Sequence, residues 1–124
     1  MEFYKCERCG NIIAFVENKG VPVSCCGQNM VKIEPNTVDA AKEKHVPVIM
    51  REGNKVTVTI GSAPHPMIPA HHISWIALQT KQGNQRKELP VEEPAQACFE
   101  LCDGDEVIAA YEYCNLHGLW KADA

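Results

Sequence analysis

The sequence lacks the features that mark membrane-spanning, secreted and nucleic-acid-binding proteins. No apolar stretch approaches the roughly 20 residues that a helix needs to cross a bilayer, and the first residues, MEFYKCERCG, carry no apolar segment of the signal-peptide kind. There are 12 basic residues against 16 acidic ones, for a net charge of −4, and no tract is rich in lysine and arginine. We therefore expect a cytoplasmic protein that binds neither nucleic acid nor a membrane.

Cysteine, in contrast, is abundant, and its distribution divides the chain. In a reducing compartment, 7 cysteines indicate metal ligands sooner than disulfides. Four of them lie within the first 26 residues, whereas all 5 histidines occur from position 45 onward. This contrast predicts two modules with different ligand chemistry, 1–35 and 36–124, with Pro35 and Asn36 as the boundary. The first module is too short to fold on a hydrophobic core alone and needs a staple.

Hydrophobic patterning predicts that the second module is built from short antiparallel strands. Residues 56–60, VTVTI, alternate strictly, and Gly53-Asn54 and Gly83-Asn84 are turn signals. Residues 37–43 are predicted to form one or two helical turns, capped by Asn36 or Thr37. The strands are predicted at 46–51, 56–60, 73–78, 97–101 and 107–113. Short strands separated by turn residues are typical of a β-sandwich.

The first candidate metal site consists of four cysteines in the first module. Cys6 and Cys9 form a C-x-x-C-G knuckle, a spacing that lets two thiolates converge on one ion. Cys25 and Cys26 are neighbours and cannot pair with each other without strain. We interpret them as the second pair of ligands to the same ion. Four thiolates suit a tetrahedral site for iron or zinc, so a zinc staple and a redox-active iron centre both fit this pattern.

The second candidate site combines histidines with one cysteine. The donors lie in four short segments: KHVP at 44–47, APHPM at 63–67, AHH at 70–72 and YCNLHG at 113–118. Five ligands exceed the four of a structural zinc site, and several nitrogens with one thiolate favour iron. Because neighbours on a strand point to opposite faces, only one of His71 and His72 is expected to bind, and spacing alone does not choose between them.

The two remaining cysteines lie in the segment CFELC at 98–102. On a strand, Cys98 and Cys102 would share one face, too far apart to bridge each other, and Phe99 and Leu101 would face the core. We expect Cys98 and Cys102 to be ordinary free thiols.

These motifs resemble the desulfoferrodoxin family, the two-iron-centre form of superoxide reductase. The resemblance covers essentially the whole chain and rests on YKCERCGN, SCCGQNM, NTVDAAKEKHVPV, H-P-M-x-x-x-H and EYCNLHGLWK. It implies a mainly β protein with a small desulforedoxin-like, rubredoxin-type N-terminal module and an immunoglobulin-like antiparallel β-sandwich of seven strands. The first iron would be held by Cys6, Cys9, Cys25 and Cys26. The second would have four equatorial imidazoles, from His45, His65, His71 and His117, and an axial thiolate from Cys114.

The resemblance also implies an activity, the one-electron reduction of superoxide to hydrogen peroxide without production of oxygen. The reaction would occur at an open sixth position opposite Cys114. Lys44 matches the family lysine that attracts superoxide, and Glu43 matches the glutamate that occupies the open position in the oxidised resting state. The family further implies a rubredoxin-like electron donor and a homodimer. The alternative classes are an iron electron-transfer protein without superoxide turnover and a zinc-stapled binding module.

Overall fold

The computed structural model describes all 124 residues. Contacts within the chain divide it into two compact units, Met1–Glu34 and Pro35–Ala124, and each is described separately below. The chain contains no helix whose length and apolar character would allow it to cross a membrane.

The N-terminal unit is made of very short strands. Strand β1 is the centre of an antiparallel sheet ordered β2-β1-β5, and β3 pairs with β4 in a separate hairpin. Only Phe3 and Cys6 are buried in this unit. Its apolar core is therefore too small to hold the backbone together by burial alone. The strands are β1 Tyr4–Lys5, β2 Ile12–Ile13, β3 Ser24–Cys25, β4 Gln28–Asn29 and β5 Val31–Lys32.

The C-terminal unit is a two-layer antiparallel sandwich. One sheet has the order β10-β7-β6 and the other β12-β11-β8-β9, which makes seven strands in all. The predicted mainly β, antiparallel fold is thus confirmed. The elements are α1 Lys42–His45, β6 Pro47–Glu52, β7 Lys55–Ile60, β8 Ile73–Thr80, β9 Gly83–Glu88, β10 Gln96–Glu100, β11 Val107–Cys114 and β12 Gly118–Asp123.

The core of the sandwich follows the alternation seen in the sequence. Val56, Val58 and Ile60 of β7 are almost completely buried and belong to one cluster with the inward residues of β8, β10 and β11. Phe99 and Leu101 are buried, as predicted. Cys98 and Cys102 are exposed free thiols, although only Cys98 lies on a strand.

Two strands of the sandwich, β9 and β12, were not predicted from the sequence. Strand β9 is an edge strand with the polar sequence GNQRKE, so it shows no apolar alternation. The turn predicted at Gly83-Asn84 is wrong, because Gly83 already pairs with Thr80 across a loop of two residues. The cause is tertiary: the carboxylate of Asp105 accepts hydrogen bonds from the Thr80 hydroxyl (2.7 Å) and the Gln82 N–H (3.1 Å). The turn predicted at Gly53-Asn54 is confirmed.

The helix predicted over 37–43 is also wrong, because α1 begins at Lys42 and ends at His45. Asn36 cannot cap a helix, since its side chain is occupied elsewhere. Its amide donates to the Lys121 carbonyl (3.1 Å) and accepts from the Lys121 N–H (2.9 Å). The helical turn therefore forms later in the chain and makes His45 its last residue.

Candidate metal centres

The four cysteines of the N-terminal unit converge on one point. The sulfur atoms of Cys6, Cys9, Cys25 and Cys26 all lie within 4.8 Å of one another, and the Cys9 and Cys25 sulfurs are 3.6 Å apart. Backbone N–H groups point at the sulfurs: that of Cys9 donates to Cys6 Sγ (3.4 Å) and that of Asn11 donates to Cys9 Sγ (3.5 Å). Such donors stabilise thiolates and are a common feature of metal–thiolate sites.

A tight turn explains how two adjacent thiols can face the same ion. Cys25 ends β3 and pairs with Gln28 of β4, so Cys26 and Gly27 form a two-residue hairpin loop. Their φ angles, +53° and +76°, are both left-handed, which is the signature of a type I′ turn. A left-handed cysteine costs about 1 kcal/mol. The reversal of the chain at this residue brings both sulfurs into the cluster.

The pKa values of these thiols reflect the close contacts between the four cysteines. The N–H of Cys9 lowers the pKa of Cys6 to about 6, whereas hydrogen bonding to the Cys9 thiol raises the pKa of Cys26 to about 12. The same kind of contact with Cys9 raises the pKa of Cys25. Four sulfurs this close cannot all carry a negative charge unless a metal ion neutralises them. The set fits an iron–tetrathiolate centre.

In the C-terminal unit, four imidazole rings form a closed square. Each ring contacts two neighbours edge to face, in the order His45, His65, His71, His117 and back to His45. The ring centroids along these four sides are 4.8, 4.7, 5.1 and 4.9 Å apart, and the interplanar angles lie between 74° and 90°. Rings so arranged present their nitrogens to a common centre, as four ligands in a plane would.

Hydrogen bonds within the protein orient two of the rings. His45 Nδ1–H donates to the Ala41 carbonyl and His65 Nδ1–H to the Pro66 carbonyl, both at 2.7 Å, which turns their Nε2 atoms toward each other. The His45 Nε2 atom lies 3.2 Å from both His65 Nε2 and His117 Nδ1. Nitrogens bound at right angles to one ion, with bonds of about 2.1 Å, would lie about 3 Å apart. The observed spacing fits a metal between them.

Cys114 provides the fifth donor from the protein interior. Its side chain is fully buried, its sulfur lies within 4.8 Å of the donor atoms of His45, His65 and His71, and it is 3.9 Å from His117 Nδ1. A register shift in the pairing of β11 with β8 occurs between Tyr113 and Cys114, where the strand reaches the site. The Nε2 atom of His71 is buried without a hydrogen-bond partner. An orphaned imidazole nitrogen beside a buried thiol is satisfied by a metal ion.

Electrostatics keep the imidazoles in the state that a metal requires. Burial lowers the pKa of His65 to about 4 and also lowers the pKa values of His45 and His71. These rings are therefore neutral at neutral pH and offer free lone pairs. Burial raises the pKa of Cys114, so its thiolate form needs a nearby cation. Four nitrogens with one sulfur exceed a tetrahedral zinc site and fit a non-haem iron centre.

The structure also locates the other residues singled out in the sequence. Glu43 and Lys44 are exposed on α1 directly before His45, and the Lys44 charge contributes to the lowered pKa values of His45 and His71. His71, not His72, joins the donor cluster. The His72 ring points into its own loop, with Nδ1 donating to the Ile68 and Pro69 carbonyls at 3.1 Å.

Two further residues lie beside the ligands, and of these sequence reasoning missed Glu112. Trp120 stacks on the His45 ring, with centroids 5.0 Å apart, and its Nε1–H donates to the His117 carbonyl (3.1 Å). Glu112 is fully buried, neither of its carboxyl oxygens has a partner, and burial raises its pKa to about 9. Glu112 could have been identified from the sequence, because it lies two residues before Cys114 and alternate residues of a strand share one face.

Together, four clustered thiols and a separate set of four imidazoles with one thiol define a non-haem iron protein with two centres. A family model described as Desulfoferrodoxin matches residues 37–123, and one described as Desulfoferrodoxin, N-terminal domain matches residues 1–33. The chain belongs to the desulfoferrodoxin family.

Relatives support this assignment along the full chain. The chain is 44% identical over 123 residues to a desulfoferrodoxin of Syntrophotalea carbinolica, covering 99% of this chain and 96% of the relative. It is 46% identical to a desulfoferrodoxin homolog of Archaeoglobus fulgidus, covering 98% and 96%. Among solved structures, the superoxide reductase from Treponema pallidum matches with a TM-score of 0.84 and 40% identity, covering 98% of both chains.

Proposed function

We propose that this protein is a superoxide reductase that converts superoxide to hydrogen peroxide by one-electron reduction and makes no oxygen. The observation that carries the proposal is the closed square of His45, His65, His71 and His117 with the buried thiol of Cys114 beside it. The likeness to the Treponema pallidum superoxide reductase over 98% of both chains supports the same activity.

The proposal assigns each donor set to one iron. The four cysteines would hold the first iron in a desulforedoxin-like unit, and the four histidines with Cys114 would hold the second in the sandwich. When bound, the second iron supplies the electron that superoxide takes up, together with two protons, to leave as hydrogen peroxide. The protein would supply neutral imidazole nitrogens from the four histidines and the sulfur of the buried Cys114. The face of the square away from Cys114 would then be left for the substrate.

Lys44 and Glu43 would act from the rim of this site. Superoxide is an anion, so the ammonium group of Lys44 would raise its local concentration and its rate of encounter. Glu43 would place its carboxylate at the open position in the oxidised resting state. Its backbone is fixed, because its carbonyl accepts hydrogen bonds from the Ala63 N–H (2.8 Å) and the Ser62 hydroxyl (3.4 Å). Movement would therefore be confined to the exposed Glu43 side chain.

The steering role is tested by Lys44→Ala, with Lys42→Ala as the matched control. Both lysines are exposed on α1 and both changes remove one positive charge. We expect the second-order rate constant with superoxide to fall about tenfold for Lys44→Ala and to depend less on ionic strength. Lys42→Ala should change both quantities little. Equal effects of the two changes in rapid-mixing kinetics would contradict a specific role for Lys44.

The reaction itself is tested by its stoichiometry. A reductase yields one hydrogen peroxide for each superoxide consumed, a dismutase yields one for every two, and an electron carrier adds none to the spontaneous reaction. We expect the reductase ratio when an electron donor is present, and its loss in Cys114→Ser. A dismutase ratio, or full activity of Cys114→Ser, would contradict the proposal.

We also propose a rubredoxin-like electron donor, a homodimer and a cytoplasmic location. The dimer is supported by exposed apolar side chains on the N-terminal unit, Val16 (107%) and Val21 (69%), of which Val21 lines a cavity of about 290 Å³ together with Phe15 and Met30. The cytoplasm is supported by a set of seven unpaired cysteines, which a reducing compartment preserves. Analytical ultracentrifugation that found only monomers would exclude the dimer.

A further inference from the structure

We propose that Asn115 is a positioning residue that clamps the loop carrying His71 onto the loop carrying Cys114 and His117. The inference rests on the proposed iron site. It adds the residue that holds His71 in place relative to Cys114. Asn115 is exposed and offers no donor atom to the site, so its contribution lies in the backbone that it holds.

Three hydrogen bonds form the clamp. The Asn115 N–H donates to the His72 carbonyl (3.1 Å), the Asn115 side-chain amide donates to the Ala70 carbonyl (3.0 Å), and the His72 N–H donates to Asn115 Oδ1 (2.9 Å). The bonded groups of the first loop lie on both sides of His71. One asparagine therefore fixes the backbone immediately before and immediately after this ligand.

The loop with His71 is closed on itself and would move as one piece. Ile68 and His71 exchange two backbone hydrogen bonds of 3.0 Å, and the His72 ring donates to the Ile68 and Pro69 carbonyls. These bonds shape the loop internally but do not tie it to the other ligands. Beyond the loop, Ile73 of β8 pairs with Cys114 of β11. Together with this strand pairing, the attachment to Asn115 sets where the loop, and with it the His71 ring, lies relative to Cys114.

His71 needs this support more than His45 and His65 do. His45 and His65 are each oriented by a 2.7 Å hydrogen bond from Nδ1 to a carbonyl of their own segment. The structure shows no such ring-to-carbonyl bond for His71, whose Nε2 is buried without a partner. Metal-bound histidines usually depend on a hydrogen bond at the second nitrogen for their orientation. For His71, the backbone held by Asn115 orients the ring instead.

The test compares Asn115→Ala with Asn36→Ala in the iron-loaded protein. Asn36 is a close match, because it also bridges two segments of the same unit with one side-chain donor and one side-chain acceptor bond, both to Lys121. It touches neither ligand loop. Asn115→Asp is a conservative third variant that keeps the acceptor for the His72 N–H and loses the donor to the Ala70 carbonyl.

The readout is the rate at which iron passes to a chromogenic chelator, with the four-cysteine iron as an internal reference. We expect Asn115→Ala to release the histidine-bound iron at least about tenfold faster, in line with the effect of removing groups that orient metal ligands. Asn115→Asp should lie between Asn115→Ala and the wild type. Asn36→Ala should release iron at the wild-type rate, although its unfolding midpoint falls at least as far as that of Asn115→Ala. Release from the four-cysteine site should not change.

Two results would overturn the clamp. If Asn115→Ala releases iron as slowly as the wild type, or if Asn36→Ala accelerates release as much, Asn115 has only the ordinary role of a hydrogen-bonded surface residue. A wild-type chain that binds no iron at the histidine site would overturn both the clamp and the proposed function. A two-iron wild type with unaffected variants would overturn the clamp alone.

Discussion

The two metal-binding units bring their ligands together by opposite routes. In Met1–Glu34, the donors lie on or directly beside the loops between strands of two residues, and Cys9 and Cys26 are exposed. In Pro35–Ala124, the donors are attached to a sandwich with a continuous core, and His45, His65 and Cys114 are buried. The first unit has donors but little core, whereas the second has a large apolar core in addition to its donors.

The two units differ in whether metal binding drives folding or folding creates the metal site. Where burial is too small to hold the chain, the free energy of metal binding is the free energy of folding. Where a packed core already brings four imidazoles into a square, the fold creates the site and the metal fills it. In the N-terminal unit, the Cys9 N–H lowers the pKa of Cys6 to about 6, and contact with the Cys9 thiol raises the pKa of Cys26 to about 12. Such crowded sulfurs are stabilised by a bound metal ion.

The largest expected effect is the loss of structure in the N-terminal unit when its metal is removed. Removal of both metals with a strong chelator should unfold residues 1–34 and leave the sandwich folded, because a structural metal contributes about 10 kcal/mol to a unit of this kind. Hydrogen exchange measured by peptide mass spectrometry would report each unit separately. Protection of β1 and β5 that survives metal removal would contradict a metal-dependent fold.

A smaller effect is expected where the sandwich positions His45. A Cβ added to Gly61 would lie 2.6 Å from the Glu43 carbonyl oxygen and 2.8 Å from the Lys44 Cα, at a residue whose φ is +76°. We expect Gly61→Ala to lower the free energy of unfolding by about 4 kcal/mol, from backbone strain and overlap together, and to weaken iron binding at the histidine site.

The control for this prediction is Gly104→Ala, at a residue with a φ of +83° and nothing within 4 Å of an added Cβ. It isolates the backbone strain, about 1 kcal/mol. Urea unfolding followed by tryptophan fluorescence reports on the sandwich alone, since Trp75 and Trp120 are the only tryptophans. Equal losses in the two variants would show that the close approach to the Glu43 turn is unimportant.

The smallest expected effect concerns the carboxyl group that the sandwich buries near its ligand. Burial raises the pKa of Glu112 from 4.5 to about 9, so the folded chain keeps a proton that the unfolded chain releases. Stability should therefore fall as pH rises from 4.5 toward 9, by about 3 kcal/mol at neutral pH. Glu112→Gln should flatten this slope in the metal-free protein.

The exposed Glu100→Gln, on β10, serves as the control and should leave the slope as it is in the wild type. The measurement is the free energy of unfolding at about pH 5 and about pH 8. If the free energy of unfolding of Glu112→Gln depends on pH as strongly as that of the wild type, another group causes the pH dependence.

Much of both sites could be predicted because donor identity and local spacing are written in the chain. Knuckles such as Cys6 with Cys9 and Cys114 with His117 bring their members together within one turn, whatever the rest of the fold does. The β7 alternation likewise predicts a buried face from local pattern alone. The polar edge strand β9 and the helical turn α1 were not predicted, because contacts with Asp105 and Lys121 override the local signals.

Residue identity and short-range periodicity were enough to predict the ligand types, the division into two chemistries and five strands of the sandwich. The tertiary structure determines that His71 and not His72 joins the square, and that His45 and His117, 72 positions apart, lie with their nitrogens 3.2 Å from each other. These outcomes depend on how distant segments pack and bond to one another, and no local pattern in a single chain encodes that arrangement.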